Sequence, residues 1–333
     1  MSVRVGIVSF AHVHSPAYSA VLRDLDAADF VGITDDDAGR GAEAAERFGV
    51  RFLDSADSMF GEVDATLVCS ENNNHARDTI PALEAGVHVL CEKPISTTLE
   101  DARAMIQASE TSGSQLRIAF PVRYLPAVVR AREIVRAGSL GRVLALSGTN
   151  HGQIPGGWFL DPELAGGAVM DHAVHLVDLL RWMLDVEVKS VYAEIDSFFG
   201  AGGTDDAAIL TLELEGGPFA DGAFATIDPS WSRGDGYPTW GDVTLRIAGT
   251  SGVLDVDPFA RPLRIFEHKT GATSWSYTGE DMNALMLSDF LRGVAQGDPS
   301  GASGLDGLRA LEVVLAAYRS AQDHEPKKLK RTP

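Results

Sequence analysis

Residues Cys91-Glu92-Lys93-Pro94-Ile95 decide how the rest of this 333-residue chain is read. They follow the apolar run Val87-His88-Val89-Leu90, which predicts a buried strand, and precede Ser96-Thr97-Thr98-Leu99-Glu100, which predicts the start of a helix. A lysine at the C-terminal end of a strand, in a turn restricted by proline, stands where open α/β sheets place their ligands. Outward from this point the first third of the chain alternates strands with helices. Val3–Val8, Asp29–Thr34, Ala65–Cys69, Val87–Leu90 and Leu116–Phe120 predict strands. Pro16–Leu25, Ala38–Phe48, the stretch from His75 to Ala85, and Leu99–Ser112 predict helices. That alternation predicts a doubly wound parallel sheet.

After Gly141 the pattern changes to strand-like segments, Val143–Ser147, Val188–Asp196, Ala207–Leu214, Gly222–Ile227, Val243–Ala248, Gly252–Val256 and Leu263–His268. A helix over Ala168–Leu184 interrupts them, and helices over Met282–Gln296 and Gly304–Gln322 close the chain, with Lys327–Arg331 expected as a frayed end. The expected fold class is an α/β Rossmann N-terminal domain, residues 1–122, plus an α+β C-terminal domain, residues 123–333, with a mostly antiparallel sheet.

Composition narrows the partners. The formal charge of −19 disfavours nucleic acid and anionic membranes. The chain has no run of 18 apolar residues, so no transmembrane helix is expected. Met1-Ser2-Val3-Arg4 leads directly into a strand without an export signal, and two cysteines without CxxC spacing fit reduced thiols; both favour the cytoplasm. The 29 Asp, 18 Glu, 22 Arg and 6 Lys suggest solubility at high salt and a halophilic host, or a GC-rich genome, which also favours Arg. Unfolding on removal of KCl separates these two readings.

The first turn departs from a dinucleotide fingerprint. Ser9, Ala11 and His14 occupy the positions of the three glycines that let backbone amides reach a pyrophosphate. His14 is expected to push helix and strand apart or to point outward. His12 and His14 lack a cysteine or carboxylate at ligand spacing, so no metal is expected there. Asp35 ends the second strand with Asp36 beside it and no arginine directly following. A carboxylate there accepts from ribose hydroxyls and repels a 2′-phosphate, which predicts NAD in preference to NADP.

Four blocks carry a resemblance to the Gfo/Idh/MocA family of oxidoreductases. Ser70-Glu71-Asn72-Asn73-Asn74-His75 is similar to the family's Thr-Pro-Asn-x-x-His turn, and Glu92-Lys93-Pro94 to its lysine motif. Gly166-Gly167-Ala168-Val169-Met170-Asp171-His172-Ala173-Val174-His175 is similar to its Asp-x-x-x-His helix. Gly304–Ala310 with Ala316-Ala317-Tyr318 is similar to its C-terminal helix. The resemblance implies a Rossmann domain, a second domain with an open-faced sheet that commonly makes homodimers or homotetramers, and reversible hydride transfer between NAD(P) and a sugar, polyol or related secondary alcohol. It implies cofactor contacts from Ser9, Phe10, Ala11, His12, Asp35, Ser70, Asn72, His75, Glu92 and Lys93.

Alcohol oxidation needs a base near neutral pKa, for which His175 is the candidate. Asp171, four residues earlier, is expected on the same helix face as the orienting group. Lys93 is the candidate polariser of the substrate oxygen. Arg123, Tyr124, His151, Trp158 and His172 are candidate substrate contacts, by the affinity of aromatic faces for a sugar ring and of Arg and His for hydroxyls. A zinc set of His151, Asp171 and His175 is a minor alternative. Two competing functions share these residues: a non-net-redox sugar enzyme with tightly held NAD, and a catalytically silent binding protein.

Overall fold

The computed structural model describes residues 2–164, 166–237, 239–259, 262–266, 273–277 and 279–329. They form two compact units. The first comprises Met1–Pro121, Glu163–Ala165 and Met282–Glu312; the second comprises Val122–Pro162, Gly166–Asp281 and Val313–Pro333. The expected boundary at 122/123 is therefore supplemented by a late segment that joins the first unit.

In the first unit, β1 (Val3–Val8), β2 (Ala28–Thr34), β3 (Arg51–Phe52), β4 (Ala65–Val68), β5 (His88–Cys91) and β6 (Leu116–Ile118) pair in the order β3-β2-β1-β4-β5-β6, all parallel. This is the doubly wound dinucleotide order. All four residues of β4 are buried, because a parallel sheet is covered on both faces. Helices α1 (Ser15–Asp24), α2 (Ala38–Phe48), α3 (Ala56–Phe60), α4 (His75–Glu84) and α5 (Leu99–Ser112) connect the strands. Their ends are chemically marked. Asp37 accepts from Gly39 and Arg40 N–H to cap α2, and Thr98 accepts from Asp101 N–H to cap α5. The stretch 51–60, expected as a plain connection, contains β3 and α3.

The second unit opens with α6 (Pro126–Arg136) and β7 (Val143–Thr149). A π-helical turn, Val169–Ala173, then runs into α7 (Val174–Leu184), so the expected single helix begins with a wider turn. There follow β8 (Val186–Asp196), β9 (Ala207–Gly216), β10 (Phe219–Asp228), β11 (Thr244–Gly249), β12 (Gly252–Val256), and the separate hairpin β13 (Pro262–Phe266) and β14 (Thr273–Tyr277). The strand β14 was not expected, and the expected residues 267–268 of the preceding strand lie outside the described residues.

After α8 (Met282–Gln296) and α9 (Gly304–Asp323), Lys327–Lys328 form β15 on Val191 and Ser190 of β8. These two lysines are paired, which corrects the expected frayed end; 330–333 lie outside the described residues. The large sheet has the order β12-β11-β7-β10-β9-β8-β15, antiparallel except for β7–β10. Ala208, Leu210, Leu212 and Leu214 of β9 are buried, and Ile209, Thr211 and Glu213 between them are exposed, the alternation of a half-covered sheet.

In the first unit, Gly307 of α9 lets the helix approach the Lys93 turn: a Cβ there would stand 2.8 Å from Ile118 and 3.0 Å from Ile95. Cys69 and Cys91 are both buried free thiols, and burial pushes both up. Among the described residues no helix is long and apolar enough to cross a membrane.

Candidate functional site

The C-terminal ends of the first unit's strands carry the predicted cofactor residues. The turn after β1 is built without glycine. Ser9 takes φ = 65°, the left-handed region that glycine usually fills. Its hydroxyl accepts from Ala11 N–H at 3.2 Å, and its own N–H donates to Thr34 O at 2.8 Å. The side chain thus ties down a conformation that its Cβ disfavours. His14 sits at the start of α1 and turns its ring onto Glu92, with Nδ1 2.9 Å from Oε1. His12 accepts from His14 N–H at 3.2 Å and lies 3.7 Å from the same Glu92 oxygen.

This corrects two expectations. His14 makes a specific contact, and a carboxylate does accompany the histidine pair, contributed from nearly eighty residues away. Ligand-type atoms of His12, His14 and Glu92 lie within 4.8 Å of one another, the only such metal-capable group among the described residues. Burial opposes charge on Glu92, yet His12, His14 and Lys93 hold its carboxyl well below the usual carboxylate range.

Asp35 is placed differently from the expectation. Its side chain is fully buried and accepts from Phe10 N–H at 2.6 Å, Asp37 N–H at 2.8 Å, and Arg40 Nε and Nη2 at 2.9 and 2.7 Å. Arg40, five residues on, is the arginine that the sequence reading missed, because a helical turn separates it from Asp35 along the chain. The outward carboxylate of this turn is Asp36, which pairs with Arg77 at 2.7 Å.

His75 is also internal. Its Nδ1 lies 2.8 Å from Pro94 O and its Nε2 3.2 Å from Ser70 O, and burial lowers its pKa. A neutral ring has one N–H, and the shorter distance assigns it to Nδ1 donating to Pro94. His75 therefore ties the start of α4 to the Lys93–Pro94 turn, where a cofactor contact was expected. Asn72, three residues earlier, is buried too. The Ser70 hydroxyl, buried at the end of β4, has no hydrogen-bond partner among the described residues. Such a group calls for a partner from outside the chain, which fits a bound dinucleotide. Lys93 is only 3% exposed, and its N–H donates to Glu92 Oε2 at 3.1 Å. The Lys93–Pro94 peptide is cis.

In the second unit, Asp171 lies in the π turn and His175 on the first turn of α7, both buried. Asp171 Oδ2 accepts from Trp231 Nε1 at 3.2 Å and lies 3.2 Å from His172 Nε2. Trp231 is thus the orienting neighbour of Asp171, and a π turn stands where a plain helical turn was expected to carry Asp171 and His175. His172 is fully buried, with Nδ1 3.1 Å from Pro229 O and its ring edge-on to Trp240 at 5.0 Å. A substrate contact was expected of this residue, and full burial turns its ring inward instead.

Arg123 is likewise internal. It makes a two-pronged ion pair with buried Asp178, with Nε to Oδ2 at 2.7 Å. Tyr124 ends the same short turn. His151 stands between Asp228 (3.1 Å) and Asp242 (3.4 Å), and Arg233 pairs with Asp242. Burial lowers the affinity of His151 for a proton, but the two carboxylates outweigh it and raise its pKa to about 9. Trp158 stacks on Phe159 at 3.9 Å beside a small core of Phe159, Ala168, Ala201 and Trp231, which favours packing for this residue. Trp231 and Asp205, which the sequence did not single out, and Tyr318, quoted only as part of a motif, come from elements far apart in sequence.

Residues 3–120 match the oxidoreductase family with an NAD-binding Rossmann fold, and residues 128–255 match the GFO/IDH/MocA C-terminal domain. The chain is 28% identical to a myo-inositol 2-dehydrogenase of Thermotoga maritima, covering 98% of each protein. It is 30% identical to a 1,5-anhydro-D-fructose reductase of Ensifer adhaerens, covering 85% of this chain and 86% of that one. Its fold superimposes on GenD2 from gentamicin A biosynthesis, solved in complex with NAD, with a TM-score of 0.88 at 25% identity over 99% and 97% of the two chains. With the strand order, the buried Lys93 turn and the Gly166–His175 segment in place, these matches settle the family: the chain belongs to the Gfo/Idh/MocA oxidoreductases.

Proposed function

We propose that this protein is an NAD-dependent dehydrogenase that oxidises a secondary alcohol of a sugar, polyol or sugar derivative, and reduces the ketone in reverse. The observation that carries this is Lys93: a lysine held almost wholly out of water at the end of β5 of an NAD-binding domain. Family members similar along nearly the whole chain are inositol 2-dehydrogenases and a 1,5-anhydro-D-fructose reductase, which supports a polyol or sugar as substrate.

In this reading the substrate hydroxyl donates its proton to His175. The Lys93 ammonium donates a hydrogen bond to the substrate oxygen, lowering the pKa of the hydroxyl and stabilising the developing alkoxide. Asp171, held by Trp231, orients the substrate. NAD, when bound, supplies the hydride acceptor. Asp36, exposed at the end of β2 with Asp35 behind it, disfavours a 2′-phosphate and so favours NAD over NADP.

The exposed face of the large sheet supports self-association: Leu144, Ile209, Phe224 and Val253, from four different strands, are each 44–53% exposed. Phe224→Glu is expected to lower the mass measured by light scattering.

The activity test is spectrophotometric. Purified protein, screened with inositols, sugars and sugar acids against NAD and NADP, is expected to release NADH from at least one polyol or sugar. Absence of NAD binding in a titration, together with no reduced cofactor from any substrate, would make the silent-binder reading the better one.

A further inference from the structure

Two blocks of the family resemblance, Gly166-Gly167 and the α9 stretch ending in Tyr318, lie 152 residues apart and meet at one phenolic oxygen. Tyr318 Oη accepts from Met170 N–H at 3.2 Å and faces two acceptors, Gly166 O and, at 3.0 Å, Asp205 Oδ1. Asp205 Oδ2 accepts from Val169 N–H at 2.8 Å, and Asp205 O from Ala168 N–H at 2.9 Å. The first N–H groups of a helix have no partner within it. Here three in succession are met by Asp205 and Tyr318, and the next, Asp171 N–H, by Gly167 O at 3.0 Å. Gly167 has φ = 92°, and a Cβ on it would stand 2.1 Å from Asp205 Oδ1, so the close approach requires glycine.

We propose that Asp205 and Tyr318 are positioning residues for the Asp171–His175 segment, forming a proton-dependent latch on the turn that carries Asp171. The proposal rests on the role given above to Asp171 and His175.

The proton count makes the latch two-state. The phenol has one proton for two acceptors. With Asp205 ionised, the carboxylate is the stronger acceptor and takes it, and Gly166 O loses its donor. With Asp205 protonated, the acid donates to Tyr318 Oη, the phenol donates to Gly166 O, and every group is paired. Burial first, and then the neighbouring Asp206 carboxylate, raise the Asp205 pKa to about 6, against the lowering effect of Val169 N–H and Tyr318. The groups facing it are Tyr318, itself pushed up by burial and by the Asp205 and Asp171 carboxylates, and Asp206, whose pKa is lowered by Phe198, Ala201 and Phe199 N–H against the effect of burial.

Asp205→Asn mimics the protonated acid, with its oxygen accepting from Val169 and its amide donating to Tyr318. The test compares kcat and KM for wild type, Asp205→Asn and Tyr318→Phe on both sides of pH 6. The ratio of wild-type to Asp205→Asn kcat cancels the titration of His175. It is expected to change across about pH 6, and Tyr318→Phe is expected to lower kcat about ten- to a hundredfold with KM for NAD unchanged. A merely structural role lowers the thermal midpoint and leaves the ratio flat; a flat ratio overturns the proposal, and it decides alone if Tyr318→Phe does not fold. Two further measurements separate the proposal from its premise. An active His175→Asn sinks the acid/base assignment. The Asp205 titration, followed by carboxyl-carbon NMR of labelled aspartate, is read independently of turnover.

Discussion

The Glu92–Lys93–Pro94 turn and the Gly166–His175 segment both bury ionisable groups, but they are assembled in opposite directions. At the Lys93 turn, side chains are gathered by the ends of parallel strands. His75 donates to the carbonyl of Pro94, and Glu92 faces His12 and His14. The sheet positions the chemistry. At Gly166–His175 the backbone itself is gathered by distant side chains, Asp205 and Tyr318, while Trp231 holds Asp171. There the side chains position the helix. The comparison teaches that a strand end is a robust site for a charged residue, whereas a helix start needs outside partners for its free N–H groups before it can hold one.

The largest expected effects test the two ends against each other. Lys93→Met is expected to reduce kcat by about 10²–10³ while NAD binding and folding persist. His175→Asn is expected to reduce it by about 10²–10⁴. Steady-state kinetics with a fluorescence titration of NAD reads both, and full turnover by Lys93→Met would remove the lysine from the mechanism. Next comes the buried pair beside α7. Arg123→Met leaves Asp178 charged without a partner and is expected to cost about 3–5 kcal/mol in denaturant unfolding, with much of it recovered in Arg123→Met/Asp178→Leu. An unchanged midpoint in the single variant would mean that the pair does not support α7.

A third test uses pH. The folded His151 pKa of about 9 lies above the usual histidine value, so its protonation stabilises the fold. That contribution is full below about pH 6.5 and disappears as pH rises through about 9, a loss of up to about 3 kcal/mol. Thermal unfolding across this range should show the loss in the wild type and not in His151→Gln. The smallest effect concerns the glycine-free turn. Ser9→Ala keeps the left-handed strain but removes the bond to Ala11 N–H, for an expected loss of about 1 kcal/mol. Ser9→Gly relieves the strain as it loses the bond, and is expected to stay within about 0.5 kcal/mol of the wild type. Equal losses in both would mean that the conformation at Ser9 carries no strain.

How far the sequence could be read follows the same division. The parallel strands, the helix caps at Asp37 and Thr98, and the place of Lys93 are encoded within a few residues of themselves, by apolar runs and turn chemistry. Arg40 escaped because its pairing with Asp35 spans a helix start. Asp35, Arg123, His151, His172 and His75 all looked like ligand contacts by residue type, and each proved to have protein partners. A polar side chain in sequence does not reveal whether its hydrogen bonds go inward or outward. The Gly166-Gly167 pair was visible as a motif, but its reason, the space required by Asp205, was not.

By itself the sequence determined the Rossmann half, the antiparallel second half and the family's lysine and histidine motifs, because periodicity and short motifs are local properties of the chain. Tertiary structure alone decided which carboxylates are paired, that Glu92 completes a cluster with His12 and His14, and that Tyr318 meets Gly166. Those outcomes depend on burial, which strips water from a polar group and makes it take whichever partner the fold brings within reach.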